Sequence, residues 1–90
     1  MQYYVALIAD IKGSRKYRAE ERGYLQDLTN ESLLFANELF KEGIEKEVVF
    51  SAGDEVQGLF REPATAFLYY RFLCFLLGPG VLRGGLGVGT

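Results

Sequence analysis

The chain has 90 residues, of which 49% are hydrophobic and 24% charged, and its formal net charge is −2. This length supports one hydrophobic core, and the composition excludes a disordered or collagen-like protein. The small negative charge argues against general polyanion binding as the main activity. One cysteine and no histidine exclude an internal disulfide and a histidine general base, and they argue against a zinc site.

Neither a secretory signal nor a membrane span is evident in the sequence. No basic segment precedes the apolar run 3–9, and no small-residue cleavage site follows it. The longest apolar stretch, residues 64–77, is interrupted by Thr65 and Arg71 and is shorter than the roughly 20 residues that a span needs. We therefore expect a soluble cytoplasmic protein without a membrane partner.

The first half of the chain predicts a strand followed by a helix. Residues 3–9 are continuously apolar, which indicates a central strand covered on both faces, or covered on one face and paired in an oligomer. Gly23 is a candidate break between a short lead-in and the main helix, and Gly43 is a plausible stop. The helix is predicted from hydrophobic residues at helical spacing, which are Leu25, Leu28, Phe35, Ala36 and Leu39.

The second half predicts a hairpin, a helix and a last strand. Residues 47–51 and 55–60 are strand-like and flank a Gly-Asp turn. Pro63 suits the first turn of a helix that runs to about residue 77, and residues 81–88 form a glycine-rich strand. The βαββαβ order predicts an α+β, ferredoxin-like fold, in which an antiparallel four-stranded sheet carries both helices on one face.

The second predicted helix is apolar nearly all round. Residues 67–77 contain ten apolar or aromatic side chains, more than one buried face requires. We expect a partner subunit, and hence a homo-oligomer, or a further part of the protein to cover the second side. We interpret residues 1–90 as a single domain of a longer protein.

The first candidate site surrounds Asp10, at the end of the first strand. A carboxylate there needs a partner, which a metal ion or Arg15 could supply. The turn residues Gly13 and Ser14 offer backbone amides to a phosphate, beside the positive charges of Lys12 and Arg15. Alternatively, Asp10 caps the following turn or forms an ion pair with Arg15.

The second candidate site is the hairpin tip Gly53-Asp54-Glu55. In this fold the first and third strands lie side by side at the centre of the sheet, so Asp10 and the tip carboxylates should reach the same edge. Converging carboxylates suit Mg²⁺ or Mn²⁺, and Mg²⁺ commonly binds together with phosphates. The alternative is a plain Gly-Asp turn followed by a solvated glutamate.

The last strand carries glycine at every second position. Gly85, Gly87 and Gly89 therefore share one face, where a ligand or another backbone could approach closely. The alternative is that a helix of this chain packs closely on that face.

Three segments together resemble the SatD-like family. They are residues 8–15, 51–59 and 82–89, which match the patterns D-(I/V)-x-x-S-R, G-D-E-(F/V)-Q-G and R-x-G-(I/L)-G-x-G in the right order. The resemblance implies a longer protein with a C-terminal helix-turn-helix-like region, so any DNA would be contacted only through residues outside this chain.

More distantly, the same segments resemble class III nucleotide cyclases and GGDEF-type diguanylate cyclases. That resemblance implies a two-metal site for a nucleoside triphosphate, with Asp10 at one metal-binding position and Asp54 or Glu55 at the other. Ala52 and Val56 depart from the GGDEF pattern. The residues that select the base and stabilise the transition state in cyclases lie largely beyond the fourth strand, so the resemblance carries over only a metal and phosphate site, and no catalytic residue is assigned.

These patterns lead to a functional hypothesis. We expect a regulatory or ligand-sensing domain that binds a nucleotide or another phosphate ligand with Mg²⁺ or Mn²⁺. The predicted metal ligands are Asp10, Asp54 and Glu55, and the predicted phosphate ligands are Lys12, Gly13, Ser14, Arg15 and Gly53. The alternatives are a nucleotidyl cyclase core and a dimerisation module that binds no ligand.

Overall fold

The structure is a computed structural model and describes residues 4–11, 18–50, 55–78 and 80–89. The 3-10 turn Lys41–Gly43 joins the first helix to the second strand. The α+β class and the βαββαβ order are confirmed. Within the described ranges the elements are β1 (Tyr4–Ile11), α1 (Ala19–Leu39), β2 (Ile44–Phe50), β3 (Glu55–Phe60), α2 (Pro63–Leu77) and β4 (Leu82–Gly89).

The strands form one antiparallel sheet in the order β2-β3-β1-β4, which places β1 and β3 at the centre as predicted. Pairing of β1 with β4 is uninterrupted, from Tyr4 opposite Gly89 to Ile11 opposite Leu82. Pairing of β2 with β3 is irregular, with register shifts on both sides of Lys46. The sheet therefore has one regular edge, β4, and one irregular edge, β2.

The core lies on one face of the sheet. Alternate residues of β1 are buried on this face, whereas Ile8, which points to the other side, is 55% exposed. Of the two alternatives predicted for β1, coverage of both faces is therefore wrong for the described part of the chain, whereas coverage of one face with the other paired in an oligomer stays a prediction. Both helices pack on the buried face, because they and β1 share one core whose members include Val5, Leu7, Ala9, Ile11, Leu33, Ala36, Ala66, Tyr69, Leu73 and Leu77.

Helix α2 begins and ends where the sequence predicts. Pro63 is at its first turn, and Gly78 follows its last residue with φ +103°, a conformation that favours glycine. Its outer side is apolar and open in the single chain, since Phe67, Leu68 and Phe75 are all more than half exposed. None of the helices that the structure describes has the length and apolar composition of a membrane-spanning helix.

Helix α1 runs through Gly23 without a break, so the predicted division at this residue is wrong. A glycine inside a helix costs only about 1 kcal/mol relative to alanine. Leu25 and Leu28, two and five residues further along the helix, pack against the core and hold the helix in place. Tertiary packing therefore outweighs the local preference of the glycine.

Asn37 on α1 ties both helices to the irregular edge strand. Its Nδ2 donates to the carbonyl oxygen of Val48 at 2.9 Å, and its Oδ1 accepts from the Val48 amide at 3.3 Å. The same Oδ1 accepts a hydrogen bond from the Tyr69 hydroxyl of α2 at 2.8 Å. Val48 lies within the register shift between Lys46 and Val49, so the asparagine provides hydrogen bonds there that regular pairing would otherwise make.

The buried Tyr69 hydroxyl should make the fold sensitive to alkali. Burial raises the pKa of Tyr69, and the negative charge of Glu47 raises it further. Unfolded tyrosine ionises near pH 10, so above that pH the unfolded state loses protons that the folded state keeps. Stability should then fall by up to about 1.4 kcal/mol per pH unit for this group.

Replacing Tyr69 by phenylalanine should flatten this alkaline loss. The test is the free energy of urea unfolding measured from about pH 8 to about pH 11. Tyr24→Phe is the matched control, because Tyr24 is exposed. Equal alkaline losses in the Tyr69→Phe variant and the parent would contradict the expectation.

Candidate functional site

Asp10 lies near the end of β1, between residues of opposite charge on the two flanking strands. Its register partner on β3 is Glu55, and its partner on β4 is Arg83. Directly opposed residues of an antiparallel sheet point to the same side. All three side chains therefore belong to the uncovered face, and Asp10 is opposite Glu55 across adjacent strands, as predicted.

Arg83 forms an ion pair with Asp10 that the sequence did not indicate. The Arg83 Nε lies 3.5 Å from Asp10 Oδ1, and its Nη2 donates to Oδ2 at 3.5 Å. Both contacts are long for charge-assisted hydrogen bonds, which are commonly about 2.7–2.9 Å. The side chains are 72% and 44% exposed, so the pair contributes only about 0–1 kcal/mol.

One oxygen of Asp10 is enclosed without a hydrogen bond from the described residues. Oδ1 is shielded from solvent, and the Nε of Arg83 lies 3.5 Å from it without forming a hydrogen bond. A buried acceptor of this kind favours a donor or a cation beside it. Asp10 Oδ1 is therefore the atom of this group with the most to gain from a ligand.

Glu55 presents a second carboxylate at the same end of the sheet. It begins β3, is half-buried, and accepts a hydrogen bond from the Gln57 Nε2 two residues along the strand. Carboxylate oxygens on neighbouring strands are the ligands that Mg²⁺ and Mn²⁺ prefer. Beside them, the guanidinium of Arg83 is suited to hold a phosphate in a bidentate contact.

The remaining predicted ligands flank this pair in the chain. Lys12 follows the last residue of β1, and Asp54 precedes Glu55. The phosphate ligand Lys12 and the metal ligand Asp54 both lie outside the described residues, as do the remaining predicted phosphate ligands, which are Gly13, Ser14, Arg15 and Gly53. Among the residues that are described, no cluster of three or more acidic or cysteine side chains suited to a metal ion is present.

Two glycines of β4, Gly85 and Gly87, lie on the uncovered face. Gly85 and Gly87 are opposite Ile8 and Ala6, and a Cβ at either glycine would meet no atom within 4 Å among the described residues. The alternative that a helix of this chain packs on them is therefore wrong, because the helices occupy the opposite face. A ligand could therefore approach the β4 backbone closely on this side.

A shallow groove on the uncovered face lies further along the same strands. Its volume is about 350 Å³, and its lining includes Ala6, Ile8, Val49, Gln57 and Leu59. Ile8 is two residues from Asp10, or about 7 Å along the strand. The groove is mainly apolar and reaches the lower part of the size range of small-molecule sites.

Tyr70 is a neighbour of the site that the sequence did not reveal, because it lies within the apolar run of α2. Burial raises the pKa of Tyr70, and Cys74 and the negative charge of Asp10 raise it further. A hydrogen bond with the backbone of Gly84 lowers it. The tyrosine hydroxyl is thus kept protonated as a hydrogen-bonding group beside the β1–β4 pair.

No protein-family model and no curated protein matches this chain. The geometry of the Asp10 end of the sheet therefore carries the functional argument.

Proposed function

We propose that this chain is a regulatory or ligand-sensing domain of SatD-like type, working in the cytoplasm. It binds a nucleotide or another phosphate ligand, together with Mg²⁺ or Mn²⁺, at the Asp10 end of the uncovered sheet face. The observation that carries the proposal is the register of β1, which sets Asp10 between the carboxylate of Glu55 and the guanidinium of Arg83.

Each part of the site has a task in this proposal. Asp10 and Glu55 hold the cation, with Asp54 as the third predicted ligand. The cation and Arg83 neutralise the phosphate, which adds to the attraction that a divalent ion alone provides. The apolar groove beside Ile8 has the character required for the base of a nucleotide.

Mg²⁺ and Mn²⁺ should raise the melting temperature of the chain. A cation at ten times its Kd stabilises the folded state by about 1.4 kcal/mol, which corresponds to roughly 5–10 °C in a domain of this size. The measurement is a thermal melt with MgCl₂ or MnCl₂, alone and with a nucleoside triphosphate. Asp10→Asn, Asp54→Asn and Glu55→Gln should each reduce the shift strongly.

Two matched controls lie on the exposed side of α1. Asp27→Asn and Glu31→Gln make the same chemical changes at exposed positions and should keep the full shift. A parent chain whose melting temperature does not respond to either cation would contradict the proposal. If the control variants lose the melting-temperature shift to the same extent, the shift comes from general charge screening instead.

A dimerisation module is the second candidate function. It is favoured by large apolar side chains exposed on the helices, including Leu34, Phe35, Leu39 and Phe75. Phe35 stacks on Phe72 of the other helix at 5.9 Å, so part of this surface joins α1 to α2. An oligomer that forms while neither cation nor nucleotide alters the melt would favour this function over the first.

A further inference from the structure

The two edges of the sheet differ in how they resist pairing with another strand. The β2 edge carries the consecutive charged residues Glu45, Lys46 and Glu47 and has two register shifts. Charges and bulges are common devices that prevent edge-to-edge association. The β2 edge is therefore a poor template for an added strand.

The β4 edge has little of this protection in the described part of the chain. It pairs with β1 without a register shift, and no described strand lies on its outer side. Its sequence, LRGGLGVG, contains no proline and a single charge, Arg83. An edge of this type exposes a row of backbone N–H and C=O groups that can bind another strand.

We infer that this edge is a homodimer interface, in which β4 pairs antiparallel with β4 of a second copy. The twofold axis passes at Leu86, so that the two Leu86 side chains oppose one another. Each is 38% exposed in the single chain, and the pairing covers them. The two four-stranded sheets then form one continuous eight-stranded sheet.

The charge pattern of β4 fits a second copy as the occupant. With Leu86 opposite itself, Arg83 of one copy lies opposite Gly89 of the other. The two Arg83 side chains are then six residues, or about 20 Å, apart along the strand, which exceeds the screening length at physiological salt. A glycine-rich strand also offers few side-chain pockets that would select a foreign peptide. An identical strand needs no such pockets, because the twofold axis fixes which residues oppose one another. This inference is independent of the proposed ligand.

Introducing a charged residue at Leu86, on the twofold axis, tests the interface. The parent chain should be dimeric by sedimentation equilibrium between about 1 and 200 μM, a range that covers dimers of micromolar Kd. Leu86→Lys and Leu86→Glu should each raise the dimer Kd about tenfold or more, because like charges oppose one another. An equimolar mixture of the two variants should recover the dimer.

The same pair of substitutions at Val49 is the matched control, since this exposed residue lies on the β2 edge. Neither Val49→Lys nor Val49→Glu should alter self-association. A cross-linking measurement does not depend on how the charged variants fold. In a Cys74→Ser background, Leu86→Cys should form an intermolecular disulfide under mild oxidation, and Val49→Cys should not.

Several results would overturn the inference. They are a parent that stays monomeric at the highest concentration, Leu86 variants that associate like the parent, and cross-linking at position 49 but not 86. If Phe75→Lys abolished the dimer while the Leu86 pair had no effect, the apolar helix surface would be the interface instead.

Discussion

Asn37→Ala should destabilise the fold by about 2–4 kcal/mol, because it leaves three polar groups without their partner. The Val48 amide, the Val48 carbonyl and the Tyr69 hydroxyl all bind this one side chain. Val48 and Tyr69 are almost fully buried, so water does not readily replace the lost bonds. The melting temperature should fall by roughly 10–20 °C.

Asn30→Ala provides the matched control on the same helix. Asn30 is exposed and makes none of these bonds, so its replacement should change stability by no more than about 0.5 kcal/mol. Tyr69→Phe, which removes one bond of the three, should cost about 1 kcal/mol. Urea unfolding of the three variants tests the order, and similar losses for Asn37→Ala and Asn30→Ala would contradict it.

Gly84→Ala should destabilise the chain by about 1–3 kcal/mol and weaken its response to Mn²⁺. A Cβ at this position would lie 2.5 Å from the Cβ of Ala9 and 2.6 Å from the carbonyl oxygen of Ile8. Because one of these atoms is backbone, β4 must move away from β1. That movement would carry Arg83 away from Asp10, its register partner.

Gly85→Ala is the control for this substitution, since no described atom lies within 4 Å of a Cβ placed there. It makes the same chemical change one residue further along the strand. Melting curves of the two variants, with and without MnCl₂, provide the comparison. A Gly85→Ala chain that loses as much stability as Gly84→Ala would show that glycine is required here for another reason.

The topology could be predicted because each element has a local signal. The apolar period of α2, with Pro63 before it and Gly78 after it, predicted its bounds, and β3 occupies residues 55–60 as expected. The order of the elements then placed β1 beside β3. This juxtaposition led to the prediction that Asp10 and the hairpin-tip carboxylates reach the same edge of the sheet, and the register of the two strands opposes Asp10 to Glu55.

The start and the irregularity of β2 could not be predicted in this way. The strand begins at Ile44, earlier than the expected residue 47, and its register shifts depend on pairing with β3. Asn37 compensates for that irregularity from a distant part of the chain. Neither strand periodicity nor helix periodicity contains information about such a contact, because it arises only when α1 packs on the sheet.

The partner of Asp10 was also missed. The sequence suggested Arg15, which lies outside the described residues, and it gave no indication of the ion pair that Asp10 forms with Arg83 of the last strand. The predicted fold sets the last strand beside the first. Aligning the two strands residue by residue would have placed Arg83 opposite Asp10. The predicted order of elements already set both helices on one face of the sheet, whereas the continuously apolar first strand left open what covers the other face.

Paramagnetic broadening of backbone amide NMR signals by Mn²⁺ tests the central claim most directly. At substoichiometric MnCl₂, the amides of Asp10, Glu55 and Arg83 should lose intensity first, whereas exposed acidic positions of α1 such as Asp27 should keep theirs. Asp10→Asn should restore the lost signals. If instead the α1 amides broaden first, or all signals broaden equally in the parent and in Asp10→Asn, the Asp10 end of the sheet is not a cation site.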